Sequence, residues 1–201
     1  RDCLLSRGLG DVYKRQGELA SKWAYAIDVI CESCEDLSAS TTGALIVIER
    51  ETKLGEQINT GTILNAVPSK ELFGNIFFKN TPLHDGAVIM RDGIILAAAC
   101  FLPKPEKEEL INKALGSRHR AAIGMSENSD AIIIVVSEET GAISVAENGE
   151  LTRGYSKDTL KKTLRAKLLP EKTPKEKSQD KQSKEGTKSE KLGLFNKNKK
   201  G

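Results

Sequence analysis

The run Ala131–Ser137 (AIIIVVS) is the most apolar stretch of this chain, and its β-branched side chains predict a strand. A second run, Gly43–Glu49 (GALIVIE), is also apolar without alternation, which is typical of a strand buried on both faces. Strands of this kind need helices on both sides of their sheet. We therefore predict an α/β fold, with the 131–137 strand at the centre of the sheet.

The remaining apolar pattern supplies further strands and the helices that cover them. Short apolar runs predict three more strands, at Ala87–Met90, Ile94–Leu102 and Ala142–Ala146. Helical spacing predicts four helices: Glu18–Leu37, one capped by Ser69, one capped by Ser117 that runs to about Met125, and Ser156–Leu168. Polar residues predict a loop over Glu51–Thr62. This order of elements indicates a single domain, a mixed β-sheet flanked by helices.

Charge is unevenly distributed along the chain. Its 201 residues carry a formal net charge of +3, but residues 170–201 alone contain ten lysines and only five acidic residues. The rest of the chain is therefore slightly acidic, which argues against a nucleic-acid partner. The 170–201 tail is almost free of apolar residues up to Leu192, so we expect it to be disordered. Residues 1–16 fit no period, and we expect a disordered leader before a domain at residues 17–169.

Two short motifs at the ends of apolar runs suggest chemistry, and the first is His84-Asp85-Gly86-Ala87. It places a carboxylate on a glycine turn directly before a strand. Gly86 has no side chain, so a ligand could approach the backbone closely. Asp85 could hold Mg²⁺ or Mn²⁺, and His84 could add a metal ligand or a phosphate contact. Taken alone, an Asp-Gly pair more often only shapes a turn.

The second motif is Gly116-Ser117-Arg118-His119-Arg120, at the start of a predicted helix. Helix N-termini attract anions, and guanidinium groups make forked contacts with phosphate oxygens. Residues two apart do not share a helix face, so Arg118 and Arg120 reach one ligand only in a turn or in the first helical positions. The alternative is a solvated basic turn. Glu138 and Glu139, after the 131–137 strand, could help to bind a metal or orient a hydroxyl group, although acidic turn residues are commoner.

These motifs, together with the runs Gly43–Arg50 and Val136–Gly141, resemble the diadenylate cyclase (DAC) domain, in its membrane-associated CdaA type. The resemblance extends from about Glu18 to Leu168. It implies that two ATP molecules are condensed into cyclic di-AMP, with release of two pyrophosphates. It also implies a divalent metal ion (Mn²⁺, Mg²⁺ or Co²⁺) and a homodimer in which two protomers meet face to face.

The resemblance further implies roles for individual residues. Asp85, Gly86 and Ala87 would lie beside the ribose, with Asp85 and His84 as metal ligands. The phosphates would be bound by Ser117, Arg118, His119 and Arg120. Glu138 would also belong to the nucleotide site, as a metal ligand or a group that orients a hydroxyl. Phe101 and Leu102 would pack against the adenine. The expected catalytic residues are Asp85, Arg118, His119 and Arg120.

The apolar runs of the chain are all too short to span a membrane. No apolar run approaches the roughly 18 residues that cross a bilayer, so we expect the chain as given to be cytoplasmic. Members of the CdaA type carry transmembrane helices before the domain, and we expect none within the residues given. One alternative function is an ATP-binding regulatory module with weak catalysis. Another is a phosphate-binding scaffold that acts through partners.

Overall fold

The structure, a computed structural model, describes residues 3–105 and 115–169, with side chains described from Arg15 onward. The predicted tail at residues 170–201 lies outside the described residues. The sequence also indicates a charged connection with some helical character over Pro103–Leu115, and most of it lies outside the described residues. Within the described ranges, no helix combines the length and the apolar character needed to cross a membrane.

The described residues form five helices and seven strands. The helices are α1 (Cys3–Ala39), α2 (Gly55–Thr60), α3 (Lys70–Ile76), α4 (Ser117–Glu127) and α5 (Lys157–Leu168). The strands are β1 (Ala44–Ile48), β2 (Thr62–Ala66), β3 (Ala87–Arg91), β4 (Ile94–Cys100), β5 (Ile132–Val136), β6 (Ile143–Glu147) and β7 (Glu150–Tyr155). Ser69 caps α3 as predicted, since its hydroxyl oxygen accepts a hydrogen bond from the backbone N–H of Leu72.

The seven strands form one mixed sheet in the order β2-β4-β3-β1-β5-β6-β7. β1 and β3 are parallel, and all other neighbouring strands are antiparallel. Both apolar runs are buried along their whole length, as their lack of alternation predicts. The central strand is β1, however, so the prediction that the 131–137 strand lies at the centre is wrong by one position. Apolar content does not distinguish two adjacent strands that are equally buried.

Helices pack on both faces of the sheet. One face is covered by α1, α3 and α5, whose Ile30, Phe73 and Leu160 belong to one buried apolar cluster. The other face is covered by α2 and α4, where Met125 packs in a second cluster with Val47 of β1. Successive residues of a strand point to opposite faces, so β1 contributes alternately to both clusters. The predicted fold class, a mixed sheet flanked by helices, is confirmed.

Several elements differ from the sequence prediction. α1 begins at Cys3 rather than near Glu18, so it includes most of the stretch expected to be a disordered leader. No proline interrupts that stretch, and extending an existing helix is far easier than starting one. The predicted loop over Glu51–Thr62 contains α2 and the first residue of β2. β2 and β7 were not predicted because they are edge strands with mostly exposed side chains.

The sheet brings the motif-bearing loops to one edge. Asp85 and Gly86 precede β3, Phe101 follows β4, and Glu138 lies just beyond β5. β1 and β3 are parallel, and each is antiparallel to its neighbour, β5 or β4. The first residues of β1 and β3 therefore lie at the same edge of the sheet as the last residues of β4 and β5. This is the edge at which the parallel pair begins. Ligands of open parallel sheets more commonly bind at the opposite, carboxyl edge.

Candidate active site

A cleft at this edge contains both predicted motifs. Its cavity has a volume of about 190 Å³ and is lined by Asp85 and Gly86 from the first motif, by Ser117 and Arg118 from the second, and by Phe101 and Leu102 after β4. Asp85 and Phe101 are exposed, so the cleft opens to solvent. The acidic glycine turn and the basic helix start therefore share one surface.

The position of Asp85 is fixed by a tight backbone crossing at Gly86. Gly86 has a φ of +105°, and a Cβ added there would lie 2.8 Å from the carbonyl carbon of Ala99 and 2.9 Å from the carbonyl oxygen of Cys100. Ala99 itself has a φ of +56°, where the pairing of β3 with β4 shifts register. The first motif thus requires glycine for both space and backbone conformation.

Replacing Gly86 by alanine is expected to lower the free energy of unfolding by about 1–3 kcal/mol, because the strained φ and the backbone clash act together. Urea denaturation would measure this loss. Gly74→Ala in α3 is the matched control, since no atom lies within 4 Å of its added Cβ and alanine favours the helix. Equal stability of the two variants would contradict a tight crossing at Gly86.

The second motif places Arg118 in the first turn of α4. The N-cap of this helix is Gly116, which makes no side-chain capping bond, so the prediction that Ser117 caps the helix is wrong. Ser117 is instead the first helical residue, and it is exposed to the cleft. The N–H groups at the start of a helix have no partner within it, so this end of α4 favours an anion.

Arg118 is held by an ion pair across the site. Its Nη1 lies 2.8 Å from Oε2 of Glu138, while its Nε is buried without a hydrogen-bond partner among the described residues. Ser137 shapes the turn that carries Glu138, because its hydroxyl oxygen accepts from the backbone N–H groups of Glu139 and Thr140. Arg118 is therefore positioned, but retains an unused donor.

Gly43 is a site residue that the sequence did not reveal. A Cβ at this position would lie 2.7 Å from Nη1 of Arg118 and 3.0 Å from Cβ of Glu138. Gly43 therefore leaves the space that the ion pair occupies. In the sequence, it is only the first residue of an apolar run, and nothing there distinguishes it from an ordinary strand end.

A second cavity of about 150 Å³ lies beside the first, and Ser117 and Arg118 line both. His119 and Glu138 line this second cavity, as do Glu139 and Arg153. His119 is only 5% exposed, and its Nε2 has no hydrogen-bond partner in the described part of the chain. Burial lowers the pKa of His119, the positive charge of Arg153 lowers it further, and Glu139 opposes them. His119 is thus a neutral hydrogen-bonding group at neutral pH.

Three predicted site residues line neither cavity, as far as the described residues define them. Arg120 donates from Nε to the carbonyl oxygen of Leu115 at 3.0 Å. Ala87 is buried at the start of β3. Nδ1 of His84 lies 2.6 Å from the carbonyl oxygen of Thr81. Arg120 therefore shares neither cavity with Arg118, although both lie in the first turn of α4.

The donor groups at the cleft determine how a divalent metal could be held there. Among the described residues, no group of three His, Cys, Asp or Glu side chains could hold an ion. Asp85 presents one exposed carboxylate to the cleft, whereas the neighbouring His84 lines neither cavity and bonds through Nδ1 to the carbonyl oxygen of Thr81, so that Nε2 is its remaining ring nitrogen. Mg²⁺ is commonly held by one or two carboxylates together with nucleotide phosphates. The donor set fits an ion that arrives with a nucleotide.

Comparisons with known proteins identify relatives of this chain. The chain is 46% identical over 169 residues to cyclic di-AMP synthase CdaA of Bacillus subtilis, and 43% identical over 170 residues to a diadenylate cyclase of Listeria monocytogenes. Both alignments cover 84% of this chain, and the chain spans 62% of the length of each relative. The crystal structure of a double mutant of DacA from Staphylococcus aureus matches with a TM-score of 0.70 at 41% identity. That match covers 73% of this chain and 97% of the other.

A family model also matches residues 31–151, which is more than half of the chain, and ends two residues before Arg153. The matched range contains both predicted motifs and the turn that carries Glu138. The chain therefore belongs to the DAC family, described as DisA bacterial checkpoint controller nucleotide-binding.

Proposed function

We propose that this chain is the catalytic domain of a diadenylate cyclase, a nucleotidyltransferase that converts two ATP molecules into cyclic di-AMP and two pyrophosphates. The observation that carries the proposal is the shared cleft, in which the carboxylate of Asp85 and the guanidinium of Arg118 line one cavity. A carboxylate suits a sugar hydroxyl, and a guanidinium beside a helix N-terminus suits a polyphosphate.

The reaction consists of two equivalent displacements. In each, the ribose 3′-oxygen of one ATP forms a bond to the α-phosphorus of the other, and the bond from that phosphorus to the bridging oxygen of pyrophosphate breaks. The 3′-hydroxyl proton is released, and pyrophosphate leaves with the electron pair. Such transfers are accelerated mainly by positioning and by stabilisation of negative charge, without a covalent enzyme intermediate.

We assign the residues of the cleft by their chemistry. Asp85 orients the ribose hydroxyl and can accept its proton, while Gly86 allows the sugar to approach the backbone. Ser117 and Arg118 bind phosphate oxygens, and Phe101, 65% exposed at the cleft mouth, covers the adenine with Leu102. A divalent ion held by Asp85 would neutralise charge on the phosphates. Of the other predicted phosphate ligands, His119 lies in the adjoining cavity, and Arg120 lines neither cavity of the described chain.

A homodimer follows from the symmetry of the product. One cleft binds one ATP, yet cyclic di-AMP requires two identical bonds formed in opposite directions. Two copies related by a twofold axis present the same residues to both reactions, because a twofold interface is self-complementary. We propose that the open mouth of the cleft, beside Asp85 and Phe101, faces the same mouth of a second copy. Because ATP is the proposed substrate, we also propose that this domain lies in the cytosol.

The test is to incubate the full chain with ATP and Mn²⁺, Mg²⁺ or Co²⁺ and to quantify cyclic di-AMP by chromatography and mass spectrometry. We expect product formation to rise more steeply than linearly with protein concentration while dimers are sparse. ATP binding without product, at any concentration and with every metal, would overturn the proposal in favour of an ATP-binding regulatory module. Failure to bind ATP would favour a phosphate-binding scaffold.

A further inference from the structure

Arg153 of β7 lies in the second cavity, beside the motif residues but outside both motifs. It lines this cavity together with Ser117, Arg118 and His119. The first cavity, on the other side of Arg118, contains Asp85 and Phe101 and suits the nucleoside. The second cavity therefore extends the cleft past Arg118, in the direction away from the adenine and ribose contacts.

A β-bulge directs Arg153 towards α4. Ile143 of β6 pairs with Tyr155, whereas the next residue, Ser144, pairs with Arg153, so Gly154 is an extra residue without a partner. Gly154 has a φ of +81°, and no atom lies within 4 Å of a Cβ added there, so glycine is needed for conformation rather than for space. Bulges of this kind re-aim side chains beside functional sites.

The pairing also fixes the face on which Arg153 lies. Ser144 is directly opposite both Arg153 and Val135, and residues opposite each other point to the same side of a sheet. Val135 packs in the apolar cluster on the α4 side. Arg153 therefore projects towards the N-terminal end of α4, which agrees with its place in the cavity.

Unpaired buried polar atoms in this cavity indicate a polar ligand, and the positive charges of Arg118 and Arg153 favour an anion. His119 is 5% exposed, yet its Nε2 has no hydrogen-bond partner among the described residues, and the same holds for the buried Nε of Arg118. Leaving buried polar groups unpaired is unfavourable, so these groups point to a ligand. Glu138 and Glu139 also line the cavity, but Glu138 is paired with Arg118. A phosphate group would compete with Glu138 for that guanidinium.

We propose that Arg153 binds the β- and γ-phosphates of ATP in this second cavity and retains contact with pyrophosphate as it leaves. The inference rests on the proposed function, because it assigns the polyphosphate end of the same substrate. Arg153 binds these phosphates together with the N-terminus of α4 and Arg118. The triphosphate then extends past Arg118, from the first cavity into the second. Its guanidinium offers forked contacts that suit two phosphate oxygens.

The test compares ligands with and without the distal phosphates. Calorimetric titration of the full chain would use AMP and an ATP analogue with a methylene bridge between the α- and β-phosphorus atoms, which cannot be cyclised. Arg153→Gln is expected to weaken binding of the analogue about tenfold, as for loss of a hydrogen bond to a charged group, and to leave AMP binding unchanged. Arg153→Lys should lose less, because it keeps the charge without the fork.

Arg165→Gln is the control, since Arg165 lies on α5 and contacts Asp28 of α1. It should bind both ligands as the unchanged chain does. Equal weakening of AMP and analogue binding in Arg153→Gln, or no weakening of either, would overturn the inference. If Arg153→Gln fails to fold, as judged by circular dichroism, Arg153→Lys supports the same comparison. A chain that binds the analogue through Arg153 but makes no cyclic di-AMP would refute the proposed function alone.

Discussion

Replacing Asp85 by asparagine is expected to reduce the rate of cyclic di-AMP formation by about 10³-fold, within the range for loss of a positioned acid–base group. The amide keeps the size of the side chain but can neither accept the ribose proton nor hold a cation as a carboxylate does. Asp85 is exposed at the cleft, so the fold should be unaffected. Initial rates at saturating ATP and Mn²⁺ would measure the effect, and thermal denaturation would verify the fold.

Asp92→Asn is the matched control for this change. Asp92-Gly93 is the same dipeptide at the opposite end of β3, in the turn to β4. Asp92 has a φ of +52°, a conformation that asparagine tolerates, so the substitution should preserve the turn. Activity at the level of the unchanged chain is expected. Comparable activity of the Asp85 and Asp92 variants would show that the carboxylate in the cleft has no part in the reaction.

Replacing Arg118 by glutamine should lower kcat/KM for ATP by about 10³-fold, the lower end of what a phosphate-stabilising arginine contributes. Arg118 lines both cavities, so its loss removes charge beside the bond that breaks and along the triphosphate. Arg118→Lys should recover only part of the activity, because an ammonium group cannot make the forked contact. Steady-state kinetics over a range of ATP concentrations would separate kcat from KM.

Arg50→Gln provides the control for loss of a guanidinium. Arg50 follows β1 at the opposite edge of the sheet and lies 3.9 Å from Glu147, in a half-exposed pair. Such pairs contribute little to stability, so this variant should retain full activity. The side chain of Glu138 is 52% exposed, so water can solvate its carboxylate when Arg118 is replaced, and the Arg118 variant should fold. A folded Arg118→Gln variant with unchanged kcat/KM would remove Arg118 from the mechanism.

Much of the fold could be predicted because buried strands have a distinctive sequence pattern. The runs that form β1 and β5 are apolar on both faces, and the predicted strands at Ala87–Met90 and Ile94–Leu102 form β3 and β4. Helical spacing left open whether Arg118 and Arg120 reach one ligand, because both lie in the first turn of α4. That the two motifs meet in one cleft followed instead from resemblance, since spacing along the chain does not determine which strand ends share an edge.

The missing parts of the prediction share a physical cause. β7 has an exposed, polar pattern, and its only signal was the Asn148-Gly149 pair, a dipeptide that favours hairpin turns. The direction in which Arg153 points depends on a bulge within that strand, and a pattern of apolar residues does not predict a bulge. Gly43 matters through its distance to Arg118, a residue 75 positions away. Such relationships arise only from strand pairing and side-chain packing.

The two cavities together are lined by residues between Leu45 and Arg153, from both halves of the sheet, so the cleft exists only in the folded domain. A molecule that binds the native state and not the unfolded chain shifts the folding equilibrium, by about 2.7 kcal/mol at a concentration one hundred times its Kd. Nucleotide occupancy and global stability are consequently thermodynamically linked here. ATP binding, as proposed, would stabilise the domain against every opening that disrupts the cleft, and so against global thermal unfolding and proteolysis of the unfolded chain.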